Sequence, residues 1–244
     1  MGDLRAFDRA HFEGWSMLAG VDEAGRGALA GPVVAGAVWL EVDVLDTIWA
    51  REEMAAVNDS KQLTAAKREV LFEKLMTAVG KGLIHAAAGI GSLAEIEQHN
   101  ILGANRLAMQ RALEAACPEG YSVPMKRGNA PDLFDLKQEG KRIRVLVDGK
   151  SMRAFPVEHE GVVKGDGKSF AIALGSIVAK VTRDRLMVEL GVRYPGYGLE
   201  IHKGYATAKH REAIMRKGAT EVHRTLFLRK IEEEKAGAEQ MEMR

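Results

Sequence analysis

The sequence predicts an α/β fold in which a mixed β-sheet is flanked by helices. Two short apolar runs near the N-terminus, residues 17–21 and 32–40, have the length and composition of adjacent strands joined by a glycine-rich turn. Farther along the chain, stretches with helical periodicity alternate with strand-like runs. Because strands come first, helices alternate with strands later and no internal repeat is evident, one α/β domain is the simplest architecture.

Caps and breakers mark the ends of the predicted helices. Thr64 is a favourable N-cap for the first of them. Ser92 and Glu95 have the spacing of a capping box, and a helical pattern resumes at Ile101 and stops before Pro118. Apolar periodicity predicts the remaining elements, which are strands over residues 83–90, 143–147 and 155–163, and helices over residues 65–79, 169–190 and 206–217.

The chain is predicted to form one main domain over residues 1–227. A length of 244 residues is enough for a single sizeable hydrophobic core. Residues 118–142 contain prolines, glycine, asparagine and mixed charge, and a strand-like run follows at once, so they are predicted to be a surface insertion. Residues 228–244 are charged and weakly patterned, which predicts a short tail.

Composition indicates an ordinary globular protein of a reducing compartment. The chain is 46% hydrophobic and 28% charged, and its single cysteine, Cys117, can form no internal disulfide. No basic segment precedes a long apolar run, so we expect a cytoplasmic protein without membrane insertion, and a monomer by default. The 35 basic and 34 acidic residues nearly balance, so a polyanionic partner would have to be bound by a local basic surface.

Three acidic residues stand where the apolar pattern predicts an inward or strand-end side chain. Asp22 and Asp148 each follow an apolar strand-like run, and clefts form at the ends of strands in open α/β sheets. Asp184 continues an apolar stripe of the predicted long helix and is expected to face inward. That stripe consists of Phe170, Leu174, Ile177, Val181, Asp184 and Val188. For each acid alone an end cap or an ion pair is an equally good interpretation, but their coincidence favours a common site.

Converging carboxylates would require cations. Two like charges about 4 Å apart repel by roughly 4 kcal/mol at an effective dielectric of about 20. Oxygen ligands suit Mg²⁺ or Mn²⁺, and two such ions would activate water and stabilise the leaving oxygen of a phosphodiester, which is nuclease chemistry.

Glu23 is adjacent to Asp22, and adjacent strand residues point to opposite faces. It would join Asp22 only if regular strand geometry ends there, which the following glycines allow.

The segment 25–30 (GRGALA) also matches the loose dinucleotide-binding pattern Gly-x-Gly-x-x-Gly/Ala. That pattern requires a helix to follow, whereas Gly31 and Pro32 lead into a strand-like run, so we reject a dinucleotide cofactor. The glycines would instead let the backbone approach a sugar or phosphate, with Arg26 nearby, or they form a simple hairpin turn.

Six blocks of the sequence closely resemble those of the bacterial ribonuclease HII family, in the family's order. They are GVDEAGRGALAGPVV (20–34), NDSKQL (58–63), LVDGK (146–150), VVKGDGKS (162–169), SIVAKVTRDRLM (176–187) and HKGYAT (202–207). The resemblance implies a ribonuclease H-like sheet and a metal-binding, catalytic tetrad of Asp22, Glu23, Asp148 and Asp184. It also implies Mg²⁺ or Mn²⁺ as cofactor, with two ions during catalysis.

The resemblance further implies the substrate. It predicts cleavage of the RNA strand of RNA/DNA hybrids, and cleavage 5′ to ribonucleotides embedded in duplex DNA, leaving 3′-hydroxyl and 5′-phosphate ends. The backbone of Gly25, Arg26 and Gly27 would sense the ribose 2′-hydroxyl, which distinguishes RNA from DNA. Tyr205 would pack at the RNA-to-DNA junction, although a half-buried loop tyrosine is an alternative. Residue 28 is alanine where the family often has proline.

Several lysines are candidates for the local basic surface. Lys61 and Lys203 lie in motif loops and are predicted to contact phosphates. Lys180, one helical turn before Asp184, is also placed to form an intrahelical ion pair. Lys164 and Lys168 are weaker candidates. The histidines His202, His210 and His223 show no metal-ligand spacing with Cys117, and we assign them no metal.

Two alternatives from other functional classes remain open. One is a non-catalytic module that binds hybrids through the same loops. The other is a different nuclease or strand-transfer enzyme of the same fold, which would cut all-DNA duplexes equally well. The intact acids argue against the first, and an all-deoxy substrate distinguishes the second.

Overall fold

The computed structural model describes residues 3–59, 63–126 and 142–229. Five strands are present in this part of the chain, β1 (Met17–Ala24), β2 (Val33–Leu40), β3 (His85–Gly91), β4 (Ile143–Asp148) and β5 (Glu160–Val162). The helices are α1 (Leu4–His11), α2 (Ala65–Gly80), α3 (Leu93–Ala116), α4 (Phe170–Arg193), α5 (Leu199–His202) and α6 (Ala208–Lys217). No described helix is both long enough and apolar enough to cross a membrane.

The five strands form one mixed sheet in the order β3-β2-β1-β4-β5. β2 pairs antiparallel with both β1 and β3, whereas β4 is parallel to β1 and β5 is parallel to β4. The predicted α/β fold with a mixed sheet is therefore confirmed. The parallel pairing matters for the site, because it brings the carboxyl ends of β1 and β4 to the same edge of the sheet.

Helices cover both faces of the sheet. On one face α4 packs across β1 and β2, together with α1 and α2, around a core that includes Leu18, Val38 and Phe170. On the other face α3 packs against β2 and β3 around Trp39 and Leu113. The sheet is thus buried on both faces, which explains why β2 is apolar throughout.

Two glycines allow α4 to approach the sheet unusually closely. A Cβ atom on Gly20 would lie 2.2 Å from the carbonyl carbon of Ala171, and one on Gly36 would lie 2.2 Å from the carbonyl oxygen of Gly175. Any side chain at either strand position would therefore force the helix away from the sheet. Because Gly20 and Gly36 have no Cβ, α4 lies close enough to the sheet for its side chains to reach the end of β1.

Most predicted boundaries are confirmed. Thr64 caps α2, and the capping box of Ser92 and Glu95 begins α3. Asn100 has a positive φ of 56° and its side chain accepts hydrogen bonds from two following amides, so the helix restarts at Ile101 as predicted. The strand predicted over residues 155–163 is much shorter, since only β5 pairs with the sheet.

The sequence analysis did not predict α1. This helix contributes Asp8, which is fully buried and accepts a 2.8 Å hydrogen bond from the backbone amide of Ala171 at the start of α4. Burial raises the pKa of Asp8 to about 7, against the effect of its hydrogen bond with Ser169. The helix therefore helps to hold the N-terminal end of α4.

Most of the predicted insertion 118–142 and of the tail 228–244 lies outside the described residues.

Candidate active site

The ends of β1 and β4 bring two acids side by side. Val21 pairs with Val147 in the parallel register, and Asp22 and Asp148 are the next residues of the two strands. The sequence analysis expected Asp22 to end its strand, but β1 continues to Ala24. The continuation arises from pairing with β2, which extends the antiparallel ladder beyond the last apolar residue.

Asp22 lies on the face of the sheet that α4 covers and is only 8% exposed. Burial, together with the neighbouring carboxylates of Glu23 and Asp148, raises the pKa of Asp22 to about 8. A hydrogen bond with Ser176 on α4 and one from the Glu23 amide, at 2.7 Å, act in the opposite direction. Hydrogen bonds therefore hold the carboxyl group in place, but its ionisation is unfavourable.

Glu23 points to the other face of the sheet, as the alternation of strand side chains predicts. It forms a hydrogen bond with Asn105 on α3 and a 2.7 Å salt bridge with Arg26. Burial raises the pKa of Glu23, and Asp148 adds to that rise. Asp148 thus raises the pKa of Glu23 as well as that of Asp22, although β1 continues unbroken through both residues.

Asp148 is fixed by the turn that precedes α4. Its Oδ1 accepts a 2.6 Å hydrogen bond from the backbone amide of Gly165. A Cβ atom on Gly165 would lie 3.3 Å from that oxygen, so the small residue allows the close approach. The structure therefore brings Asp22, Glu23 and Asp148 into one electrostatically coupled group.

Asp184 is placed differently from the prediction. It is half-buried and forms a 2.5 Å salt bridge with Lys180 one turn earlier on α4, so the intrahelical ion pair is confirmed. The predicted inward stripe fails at its end, where Val188 is 45% exposed whereas Arg183 and Met187 are fully buried. The reason is that α5 and the loops around it cover a different side of α4 there than the sheet covers earlier.

A cleft of about 180 Å³ lies beside the acids. Its lining combines acidic and basic groups, and consists of Glu23, Ala24, Arg68, Asp166, Ser176, Ile177, Lys180 and Tyr205. Arg68 comes from α2 and lines the cleft. Its guanidinium donates to the Leu63 carbonyl at 2.6 Å. The basic groups of this lining suit a phosphate, whereas the acidic groups suit a cation.

The Gly25–Gly27 turn connects β1 to β2 at the rim of this site. Gly25 has a φ of +85°, and a Cβ there would lie 1.8 Å from the Nε atom of Arg183. Only glycine therefore allows the turn and the buried arginine together. Arg26 pairs with Glu23, and its carbonyl accepts a 3.0 Å hydrogen bond from Arg224.

The predicted substrate-contacting side chains differ in their placement. Tyr205 is 37% exposed, lines the cleft, and its ring centre lies 5.4 Å from the guanidinium of Arg183 and 5.8 Å from the ammonium of Lys180. Lys203 turns back instead, because its ammonium donates to the Glu200 carbonyl of its own loop. Lys61 lies outside the described residues.

Sequence reasoning missed three residues of this region. Ser176 opens a recognised motif block, but a serine within a helix gives no sign of its partner. Asn105 is 2% exposed on the apolar face of α3, and a polar residue in such a stripe was an available signal. Arg68 lies on an otherwise polar stretch of α2, where nothing in the pattern distinguishes it from a solvated residue.

A divalent cation fits the donor chemistry of the three acids. Among the residues the structure describes, no group of three or more His, Cys, Asp or Glu side chains is already arranged to hold a metal ion. Asp22, Glu23 and Asp148 nevertheless offer only oxygen donors, which hard divalent ions prefer. Burial raises the pKa values of Asp22 and Glu23, and neighbouring carboxylates add to both rises, so a bound cation would favour the ionised forms.

Comparison with known proteins identifies the family and the fold of this chain. The family described as Ribonuclease HII matches residues 19–230. A ribonuclease HII of Fusobacterium nucleatum is 48% identical over 221 residues, which cover 88% of this chain and 89% of that protein. The ribonuclease H2 of Pyrococcus horikoshii superposes with a TM-score of 0.64 at 25% identity, over 90% of this chain and 99% of that one. Bst-RNase HIII, solved in complex with Mn²⁺, has the same fold, with a TM-score of 0.62 at 19% identity over 89% of this chain and 68% of that one.

Proposed function

The chain belongs to the ribonuclease HII family, and we propose that it cuts duplex DNA on the 5′ side of an embedded ribonucleotide, as well as the RNA strand of RNA/DNA hybrids. As a member of this family it is a nuclease that hydrolyses phosphodiester bonds. The proposed products have 3′-hydroxyl and 5′-phosphate ends. The observation that carries the proposal is the coupled group of Asp22, Glu23 and Asp148 beside a cleft lined by Tyr205.

The acids are proposed to hold the catalytic metal. Asp22, Glu23, Asp148 and Asp184 would be both the ligands and the catalytic residues. When bound, Mg²⁺ or Mn²⁺, as two ions, supplies Lewis acidity that activates water and stabilises the charge of the phosphodiester. To bind the metal, Asp184 would first have to give up its salt bridge with Lys180. The ammonium of Lys180 would then be available to a phosphate oxygen.

The chain's own residues orient the carboxylates and the substrate. Ser176 holds the Asp22 carboxylate through a hydrogen bond, and Asn105 does the same for Glu23 on the opposite face. Arg68 and Lys180 line the cleft and would neutralise phosphates on either side of the cut. Arg26, now paired with Glu23, would exchange that partner for the substrate.

Recognition of the ribose is assigned to the turn and the tyrosine. Arg26 and Gly27 are exposed at the rim, whereas Gly25 is buried, and backbone amides and carbonyls can donate to and accept from a 2′-hydroxyl. Tyr205 borders the same cleft, where its ring would pack against the sugar that follows the ribonucleotide. Lys61 and Lys203 are retained as proposed phosphate contacts, with Lys203 requiring release from the Glu200 carbonyl.

One duplex assay tests the proposal. The substrate is a DNA duplex with one embedded ribonucleotide, incubated with Mg²⁺ or Mn²⁺, and its matched control is the all-deoxy duplex. We expect cleavage 5′ to the ribonucleotide, none of the control, and none by Asp148→Asn. Undiminished cutting by that variant, or no cutting by the unmodified protein, would refute the assignment. Equal cutting of the all-deoxy duplex would favour the related-nuclease alternative, and binding without cutting would favour the non-catalytic module.

A further inference from the structure

Two buried arginines lie beneath the substrate loops. Arg183 is fully buried and Arg224 is 3% exposed. Arg183 donates to the carbonyls of Ala30, Pro32 and Lys203, at 3.1, 3.0 and 2.9 Å. Arg224 donates to the carbonyls of Gly31 and Arg26, at 2.9 and 3.0 Å. A guanidinium is costly to bury, so this use of its donors indicates that the positions of these carbonyls matter.

A short backbone ladder joins the same regions. The amide of Gly31 donates to the Val222 carbonyl and the amide of Arg224 donates to the Leu29 carbonyl, both at 2.8 Å. The amide of Leu29 also donates to the Gly204 carbonyl at 2.8 Å. Segment 222–224 therefore fixes the loop that follows the Gly25–Gly27 turn, and that loop in turn contacts the residue before Tyr205.

A histidine relay runs from the same segment to the tyrosine. The amide of Thr220 donates to Nδ1 of His223 at 3.0 Å, and Nε2 of His223 lies 3.2 Å from Nε2 of His210. Nδ1 of His210 lies 3.0 Å from the Tyr205 carbonyl. Because a carbonyl only accepts, His210 carries its proton on Nδ1, and His223 must donate from Nε2. Every donor in this relay points towards Tyr205.

His223 and Arg224 are thus adjacent residues that reach the two substrate-contacting elements. Arg224 holds the Arg26 carbonyl within the glycine turn, whereas His223 acts through His210 on the Tyr205 carbonyl. Neither side chain lines the cleft beside the acids. Their effect on the reaction would therefore be exerted through geometry and not through contact with the reacting atoms.

We propose that His223 and Arg224 are positioning residues that fix the glycine turn and Tyr205 relative to each other, and so set the preference for an isolated ribonucleotide. This proposal rests on the proposed function, since it assumes that the turn and the tyrosine read the substrate. A DNA duplex with one ribonucleotide requires both elements at adjacent sugars, whereas a continuous RNA/DNA hybrid presents a ribose at every position.

The test compares kcat/KM on a single-ribonucleotide duplex with kcat/KM on an RNA/DNA hybrid of equal length. Arg224→Lys keeps the charge but loses the two separate N–H donors, Nε and Nη1, that the planar guanidinium directs at the carbonyls of Gly31 and Arg26. His223→Leu removes the donor to His210. We expect each to lower the ratio of the two values about 10-fold, since small misplacements of recognition groups reduce rates by such factors. His223→Gln retains an N–H donor at the position of Nε2 and is expected to restore the ratio to within about 2-fold of the unmodified protein.

Leu113→Ala is the matched control, because Leu113 is fully buried in the core on the α3 side, away from both loops. It should lower the melting temperature and leave the ratio unchanged. If His223→Leu does not fold, Arg224→Lys decides the outcome, since only that variant is then expected to lower the ratio. Unchanged ratios in an active enzyme would overturn the positioning role alone. Failure of the unmodified protein to cut either substrate would overturn the proposed function first, and this proposal with it.

Discussion

The hydroxyl of Ser176 on α4 is hydrogen-bonded to the carboxylate of Asp22 on β1. This contact crosses the interface between a helix and the sheet, so it exists only because α4 lies close to the strands. Gly36 makes that closeness possible, since its missing Cβ leaves room for the Gly175 carbonyl. The site is therefore assembled by helix-to-sheet packing as much as by the strand that carries the acids.

Replacing Gly36 by alanine is expected to damage both stability and activity. The added Cβ would lie 2.2 Å from the Gly175 oxygen and 2.6 Å from the Ala179 nitrogen, and backbone atoms cannot move aside cheaply. We expect a loss of about 1–3 kcal/mol in the free energy of unfolding, measured by urea denaturation. Cleavage should fall by more than the unfolded fraction explains, because Ser176 is moved from Asp22.

Gly80→Ala is the control for that substitution. Gly80 is the last residue of α2, and nothing lies within 4 Å of an added Cβ. Alanine favours helix over glycine, so we expect unchanged or slightly higher stability and unchanged cleavage. Equal urea midpoints for Gly36→Ala and the unmodified protein would contradict the close-packing argument.

Ser176→Ala is expected to move the pH dependence of cleavage. The hydrogen bond from Ser176 lowers the pKa of Asp22, which burial otherwise raises to about 8. Without it the carboxylate holds its proton to higher pH, so the acidic limb of the pH–rate profile should shift upward. Ser176→Thr retains a hydroxyl and should preserve the profile. Superimposable profiles for alanine and serine would show that this hydrogen bond does not tune Asp22.

Asp22→Asn is expected to stabilise the fold when divalent metal is removed by chelation. The pKa of Asp22 is about 8 in the folded protein, above the ordinary value of 3.8, so the folded state binds the proton more tightly. The cost of ionising it is absent below about pH 4, grows as the pH rises and is complete above about pH 8. At pH 8 to 9 the free energy of unfolding of the variant should therefore be about 1–3 kcal/mol higher than that of the unmodified protein. This difference should vanish near pH 4.

Asp46→Asn is a control of opposite sign. Arg9 and Arg51 lower the pKa of this exposed carboxyl, so its replacement should slightly destabilise the fold at neutral pH. Denaturation followed across this pH range in a chelating buffer measures both variants. A constant difference between Asp22→Asn and the unmodified protein at every pH would be incompatible with a raised pKa of Asp22.

The positions of Asp22 and Asp148 were predictable because strand periodicity is local. Each follows an apolar run, and the end of such a run is visible without knowledge of the partner strand. The extension of β1 through Ala24 was not visible, since it depends on pairing with β2. Family resemblance supplied Glu23, whose side chain lies on the opposite face of the sheet and whose pKa Asp148 still raises.

The placement of Asp184 shows where helical periodicity stops being informative. A stripe that alternates steps of four and three residues assumes one buried face along the whole helix, but α4 changes its neighbours near Arg183. A buried arginine has no distinctive sequence pattern, because its acceptors here are backbone carbonyls of remote loops. For the same reason the relay between His210 and His223 could not be inferred from spacing.

Asn105 provides a last test, on the face of the sheet opposite to Ser176. Its side-chain amide hydrogen-bonds to Glu23 and lowers the pKa of a carboxyl that burial raises. Asn105→Leu keeps the size but leaves that carboxylate without the donor, and hydrogen bonds to charged groups contribute about 1.5–3 kcal/mol. We expect cleavage to fall about 10-fold or more, and the metal concentration that gives half-maximal activity to change, because Glu23 is one of the proposed ligands.

Gln110→Leu is the control. Gln110 is an exposed amide on the same helix that bonds only to Glu114 among the described contacts, so its replacement should change neither quantity. If the two variants behave alike in a metal titration of the cleavage rate, Asn105 does not orient Glu23, and the acid is held by Arg26 alone.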